Sequence, residues 1–268
     1  MKHPIYQVDA FTSKVFKGNP AAVMPLEAWL PADTMQALAA ENNLAETAFF
    51  VRQPGPDGED FHIRWFTPLR EVPLCGHATL ASAWVIFNKL GWPENTLRFH
   101  SKSGPLGVHK RPGDWLELDF PNLSIEEQKT PAIISEALEN APAMAFHVPA
   151  DTNDMIVMEN EAAVKAAQPD LRLLKQLGNM GLIITAPGEQ VDFVSRYFAP
   201  GSGIDEDPVT GSIHSVLVPY WAEKLGKTKL VARQLSTRGG ELRCELKGDR
   251  VAIAGQAAFY MEGMVHLE

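Results

Sequence analysis

Residues 71–76 read Glu-Val-Pro-Leu-Cys-Gly, and residues 206–211 read Glu-Asp-Pro-Val-Thr-Gly, the same pattern 135 positions later in a chain of 268. Each copy opens a long apolar segment that closes on Lys-Leu-Gly, at Lys89-Leu90-Gly91 and at Lys224-Leu225-Gly226, again 135 apart. Upstream, Arg64-Trp65-Phe66-Thr67-Pro68 matches Arg196-Tyr197-Phe198-Ala199-Pro200 at an offset of 132, so the second copy carries three more loop residues. Three matches in one order mark a duplicated half. The repeated unit reads as strand, turn, glycine, helix. The two helices, about Gly76–Leu90 and about Gly211–Leu225, carry no Asp, Glu, Lys or Arg until Lys89 and Glu223. A helix apolar on every side is buried all round. Short strands are therefore expected to wrap one central helix in each half, with Pro219 kinking the second.

Outward from the repeat, Ile5–Phe11 alternates as a strand, and Gly18-Asn19-Pro20 forms a loop before a short strand at Ala21–Met24. Asp33 and Gln36 resemble a capping box that opens a helix to about Glu41, with Met35, Leu38 and Ala39 turned inward. Ala45–Arg52 reads as a strand with Glu46 near its start, Pro54–Glu59 as a turn and Phe61–Thr67 as another strand. Further strands are expected at Leu116–Phe120, at Leu182–Thr185 and in hairpin-like runs between Leu230 and Val265. Helical patterns lie near Ile133–Leu138 and Glu161–Ala167. Without a regular strand–helix–strand beat the class is α+β. The repeat predicts two pseudo-symmetric halves, each a curved, mostly antiparallel sheet or barrel around its helix. The N-terminal half spans 1–115, completed by a C-terminal strand over about 252–268; the C-terminal half spans 116–251.

Composition narrows the function class. Twenty-four Lys and Arg against 33 Asp and Glu give a net charge of −9, which argues against nucleic-acid and anionic-membrane partners. Cys75 and Cys244 are too few for a disulfide framework. The N-terminal stretch lacks the apolar run of a signal peptide. The most apolar stretch, His77–Phe87, has 11 residues, short of the roughly 18 that span a bilayer. These features predict a soluble protein of the cytoplasm.

The repeat also predicts chemistry. A buried helix that begins at glycine presents unpaired N–H groups and a partial positive charge. Two such ends are expected to converge on a cleft between the halves and to hold a small carboxylate on the amides of Gly76/His77 and Gly211/Ser212. His77, Cys75, Asp207, Thr210 and Ser212 stand at these turns, within two residues of a glycine or on the same loop. Proton transfer needs such groups within reach of one atom. His62 and His214 read as packed residues. The eight histidines show no His-x-x-x-His or His-Glu-x-x-His spacing, two isolated cysteines cannot build a four-cysteine zinc site, and no Walker loop or Gly-x-Gly-x-x-Gly is present. Acid–base catalysis with no metal and no cofactor is the expectation.

Five motifs in order then carry a resemblance: Val8-Asp9-Ala10-Phe11-Thr12, Gly18-Asn19-Pro20-Ala21-Ala22-Val23, Glu46-Thr47-Ala48-Phe49, Cys75-Gly76-His77-Ala78-Thr79 and Glu206-Asp207-Pro208-Val209-Thr210-Gly211-Ser212. With them the chain resembles the phenazine-biosynthesis isomerase (PhzF-like) family, of the diaminopimelate epimerase-like fold. Pro219-Tyr220-Trp221 and Lys224-Leu225-Gly226-Lys227 resemble the branch with the animal phenazine-biosynthesis-like proteins. The resemblance implies a homodimeric, cofactor-independent isomerase of a small, cyclic or unsaturated carboxylic acid. It implies Glu46 as the acid/base that moves a proton between carbons, with His77, Asp207 and Ser212 in support and Asn19, Cys75, Gly76, Thr210 and Gly211 around the substrate. Burial in an apolar setting is expected to raise the Glu46 pKa. Thiol racemases of the same fold use two cysteines; here Thr210 stands in the second place, so two-base racemization is not expected. A single-thiol eliminase or dehydratase using Cys75 is the alternative, and a non-catalytic binding protein is a third reading.

Overall fold

The alternating run at the N-terminus forms β1 (Lys2–Ala10), followed by β2 (Asn19–Leu26), α1 (Ala32–Asn42), β3 (Glu46–Gly55), β4 (Gly58–Phe66), β5 (Glu71–Val72), α2 (Gly76–Asn88), β6 (Thr96–Ser101), β7 (Gly104–Arg111) and β8 (Trp115–Pro121). The next strands and helices are β9 (Glu126–Lys129), α3 (Ala132–Ala137), β10 (Met144–Val148), β11 (Asn153–Val157), α4 (Glu161–Ala166), α5 (Leu171–Leu174), β12 (Gly181–Pro187) and β13 (Phe193–Phe198). The chain closes with α6 (His214–Leu225), β14 (Lys229–Gln234), β15 (Gly240–Lys247), β16 (Arg250–Gly255) and β17 (Ala257–His266). This computed structural model describes residues 1–55, 58–139 and 141–268; residues 56 and 57 of the expected Pro54–Glu59 turn lie outside it. By their internal contacts the residues form two units, Met1–Asp119 with Ala254–Glu268, and Phe120–Ile253.

The duplication is written in the strand pairing. In the first unit β1–β2 is antiparallel, β2–β3 parallel, β3–β4 antiparallel, β4–β6 parallel and β6–β7 antiparallel. In the second unit the same series of senses returns through β10–β11, β11–β12, β12–β13, β13–β14 and β14–β15. Parallel neighbours need a crossover, and the crossovers carry the helices. Helix α1 joins β2 to β3 as α4 joins β11 to β12, and α2 lies between β4 and β6 as α6 lies between β13 and β14. Strand β17 pairs antiparallel with β1 and completes the first unit.

Helix α2 is buried from Gly76 to Ala83 and again over Val85–Phe87, as a helix without charges must be. It packs on β1, β2, β3 and β17. Helix α1 buries Met35, Leu38 and Ala39 against Met24, Phe49 and Phe66. In the second unit Ile134, Ile156, Val164, Leu182, Ile184, Val194 and Phe198 form the core between α3, α4 and the sheet. Helix α6 is tied down by Trp221, whose Nε1 donates to Thr185 Oγ1 at 2.9 Å and whose ring stacks on Phe193. Gly226 is the C-cap of α6 at φ 64°, the left-handed stop that glycine takes without strain, whereas α2 ends on Lys89 in the right-handed region and Gly91, at φ 68°, turns the chain two residues later.

Two local readings are corrected. The Asp33/Gln36 capping box does not form: Pro31 is the N-cap, with no side-chain cap bond, and Gln36 Nε2 donates instead to the Thr67 carbonyl at 2.9 Å. A tertiary acceptor has taken the side chain the box required. The second apolar helix begins at His214 and not at Gly211. Its approach is a tight turn, with His214 N–H on Gly211 O and Ser215 N–H on Ser212 O, and the i→i+4 pattern starts with Leu217 on Ile213. Just before this turn Gln234 accepts the Thr210 N–H at 2.9 Å. Among the described residues no helix is long and apolar enough to cross a membrane.

Candidate active site

Three elements assemble the polar cluster of the first unit. Parallel pairing aligns Ala21 of β2 with Glu46, the first residue of β3, so Asn19 at the head of β2 lies near Glu46. The position of Asn19 depends on Gly18, at φ +64°, where an added Cβ would lie 2.1 Å from the Ala10 carbonyl oxygen. From the other side, Cys75 is the N-cap of α2, and His77 is its second residue. Asn19, Glu46, Cys75 and His77 are all buried. Asn19 Nδ2 lies 3.2 Å from His77 Nδ1, Cys75 Sγ lies 3.4 Å from the same nitrogen, and His77 Nε2 is 3.3 Å from Glu46 Oε2. That last contact has the distance of an ion pair without the angle of a hydrogen bond. Burial pushes the His77 pKa down to about 3, because the charged ring loses its hydration. The imidazole is therefore neutral at neutral pH, and an amide donating to Nδ1 places its one proton on Nε2.

In the second unit the cluster forms around Gln234, the buried last residue of β14. Its Oε1 accepts the Thr210 N–H at 2.9 Å, and its Nε2 donates to the Asp207 carbonyl at 2.8 Å and to Thr210 Oγ1 at 3.1 Å. Thr210 Oγ1 donates in turn to Asp207 Oδ2 at 2.5 Å. Gly211 is buried, and Ser212, partly exposed, lies in the tight turn before α6. Asp207 and Thr210 thus come together, held by a glutamine the motifs did not single out. An amide that grips 207 and 210 from a strand 24 residues on leaves no local signal. His214, read as a packed residue, is fully buried: its Nδ1 donates to the Thr210 carbonyl at 2.8 Å, and burial lowers its pKa to about 4.

The repeated residues outside the clusters hold each pre-helix turn to its strand. Arg64 makes a two-pronged pair with Glu71, Nε to Oε1 at 2.8 Å and Nη2 to Oε2 at 2.9 Å, and Arg196 makes the same pair with Glu206 at 2.7 and 3.0 Å. Each guanidinium also lies over the phenylalanine two residues on, Phe66 and Phe198, at 5.2 and 4.9 Å. The Arg64 hydrogen bonds, joined by Lys102, hold the Glu71 pKa at about 2. At the helix starts, Thr79 Oγ1 donates to Cys75 O as His214 Nδ1 donates to Thr210 O, two further equivalent positions. Gly76 and Gly211 are not among the glycines at positive φ.

The family model described as "Phenazine biosynthesis-like protein" matches residues 8–263. A curated relative from Pseudomonas aeruginosa, called an uncharacterized isomerase, is 50% identical over 268 residues and the full length of both chains. A crystal structure of a phenazine biosynthesis protein of the PhzF family from Enterococcus faecalis shares 47% identity and superposes with a TM-score of 0.93 over all of both chains. A structure called a probable proline racemase, from Agrobacterium radiobacter, matches at a TM-score of 0.64 over 99% of this chain and 93% of that one. At 12% identity that likeness is one of fold alone. The α+β architecture is the diaminopimelate epimerase-like fold.

Proposed function

The chain belongs to the phenazine biosynthesis-like protein family and is an isomerase of it, and from that premise we propose that it moves a proton between two carbons of a small, cyclic or unsaturated carboxylic acid, with Glu46 as the carrier. The carboxylate takes a proton from one carbon, the C–H electron pair spreads into the adjoining unsaturation, and the acid form returns the proton to a second carbon. Nothing is oxidised or reduced, and no cofactor takes part. The observation that supports the reading best is the burial of Glu46 against His77 at the first turn of α2. A neutral His77 is a poor proton carrier at neutral pH and leaves Glu46 as the group suited to that role. The N–H groups at the start of α2 favour an anion there, and Asn19 orients the His77 ring.

Asp207 and Ser212 take supporting roles in this proposal, and Cys75, Gly76, Thr210 and Gly211 contact the substrate. The proposal further includes a homodimer in the cytoplasm. Phenazine production is not part of it. The test is a solvent-deuterium exchange screen of small carboxylates: Glu46→Gln, nearly equal in volume, abolishes C–H exchange while the Tm stays within a few degrees. Full exchange in that variant refutes the assignment.

A second reading rests on the 3.4 Å approach of Cys75 Sγ to His77 Nδ1: a thiol eliminase or dehydratase with Cys75 as base. Cys75→Ala separates the two. It keeps substantial exchange if Glu46 is the carrier and loses several orders of magnitude if the thiolate is.

A further inference from the structure

Glu46, Cys75 and His77 offer one ligand-type atom each, all within 4.8 Å of one another, and all three residues are buried. The donors are a sulfur, an imidazole nitrogen and a carboxylate oxygen. Zinc accepts that mixture, whereas magnesium and calcium demand oxygen. A tetrahedral zinc, with bonds of about 2.0–2.3 Å, holds neighbouring donors roughly 3.5 Å apart. On the Nε2 side of the ring the carboxylate already has that spacing, with Nε2 and Oε2 3.3 Å apart, whereas the sulfur lies 3.4 Å from the other ring nitrogen, Nδ1. For zinc on Nε2 the Cys75 side chain must turn its sulfur from Nδ1 toward the metal, the three ligand-type atoms spanning no more than 4.8 Å at rest. A second observation points to a ligand independently. His77 is 4% exposed, and its Nε2 is buried and makes no hydrogen bond. A buried polar atom left unmade is costly, and a metal bond on the ring would relieve that cost.

We propose that these three side chains form a reversible zinc site and that zinc bound there inhibits the protein. One Zn²⁺ binds Glu46, Cys75 and His77 Nε2 with a water in the fourth position; the thiol proton of Cys75 leaves to solvent, and the ring proton moves from Nε2 to Nδ1, where the Asn19 amide turns its oxygen to accept it. Inhibition rests on the reading of Glu46 as proton carrier; binding does not. Metal-ligand spacings along the sequence could not show the site, because β3 and the start of α2 bring together residues 29 to 31 positions apart.

Cobalt(II) titrated into the metal-free protein tests the binding without any turnover. One equivalent produces the sulfur-to-cobalt charge-transfer band and the visible bands of a tetrahedral ion, and zinc erases both. Cys75→Ser removes the charge-transfer band and weakens zinc at least about 100-fold, since outer-shell changes alone cost 10–100-fold, whereas Cys244→Ser keeps the band. On the unaltered protein, zinc slows alkylation of Cys75 by iodoacetamide at least tenfold by mass spectrometry, a measurement that does not depend on a variant folding. Absence of the bands, their survival in Cys75→Ser, or an unchanged alkylation rate overturns the site. Zinc at one equivalent stops deuterium exchange, and a chelator restores it. If the cobalt bands appear but zinc leaves exchange untouched, the metal site stands, and the inhibition falls together with the Glu46 assignment.

Discussion

Replacing Arg196 by Met should cost far more stability than the same change at Arg64, although the repeat makes them one position. Both arginines make a two-pronged pair with a glutamate. Arg196 does more: its Nη1 also donates to the carbonyls of Ala167 at 2.6 Å and Val164 at 3.2 Å, and its side chain is only 10% exposed. Arg196→Met therefore strips four hydrogen bonds and leaves a carboxylate and two carbonyls without their partner. Breaking a buried pair costs about 3–5 kcal/mol, most of it the stranded partner. Arg64 is about twice as exposed, and Glu71 keeps Lys102 at 2.6 Å. That loss resembles a solvated pair, about 1 kcal/mol. Met retains most of the aliphatic packing in both variants, so the difference of roughly 2–4 kcal/mol reports the polar contacts. Urea unfolding at pH 7, followed by tryptophan fluorescence and circular dichroism, measures both variants side by side. Equal losses, or a larger loss at Arg64, would refute the reasoning.

The His214 pKa, lowered from 6.5 to about 4 by burial, makes stability depend on pH: the unfolded ring binds a proton first, so its contribution is intact above about pH 6.5 and lost as pH falls toward 4. Between pH 7 and pH 5 the loss is about 2 kcal/mol, and urea midpoints for His214→Gln should lack that part of the slope; an unchanged slope counts against it. Gln234→Met strands the Thr210 N–H and the Asp207 carbonyl and should cost about 2–4 kcal/mol, with a loss under 1 kcal/mol refuting its role as the clamp. Deuterium exchange by the protein should survive prolonged chelation, and activity lost to chelator and restored by one divalent ion would overturn the metal-independent reaction.

Charge-free helices and the offset motifs suffice to place two apolar helices, one per repeat, because a segment without charges has no stable place but a core. The lone glutamate of Glu46-Thr47-Ala48-Phe49 and the histidine after Cys75-Gly76 were legible as residue types suited to proton chemistry. Their meeting was not. Asn19, Glu46 and His77 touch because β2 and β3 pair in parallel and α2 begins beside them, and pairing register is a long-range choice that no local window encodes. The start of α6 is later than the repeat suggests because Gly211 and Ser212 close i→i+3 turns before the i→i+4 ladder begins. Gln36 left its capping box for a distant carbonyl. Which segments must be buried, and the duplication of the architecture, can be read from the residues alone, because burial follows from transfer free energy residue by residue. Tertiary structure alone decided which polar groups share a site, because buried donors and acceptors must be satisfied by whatever partner the fold brings within 3 Å or so.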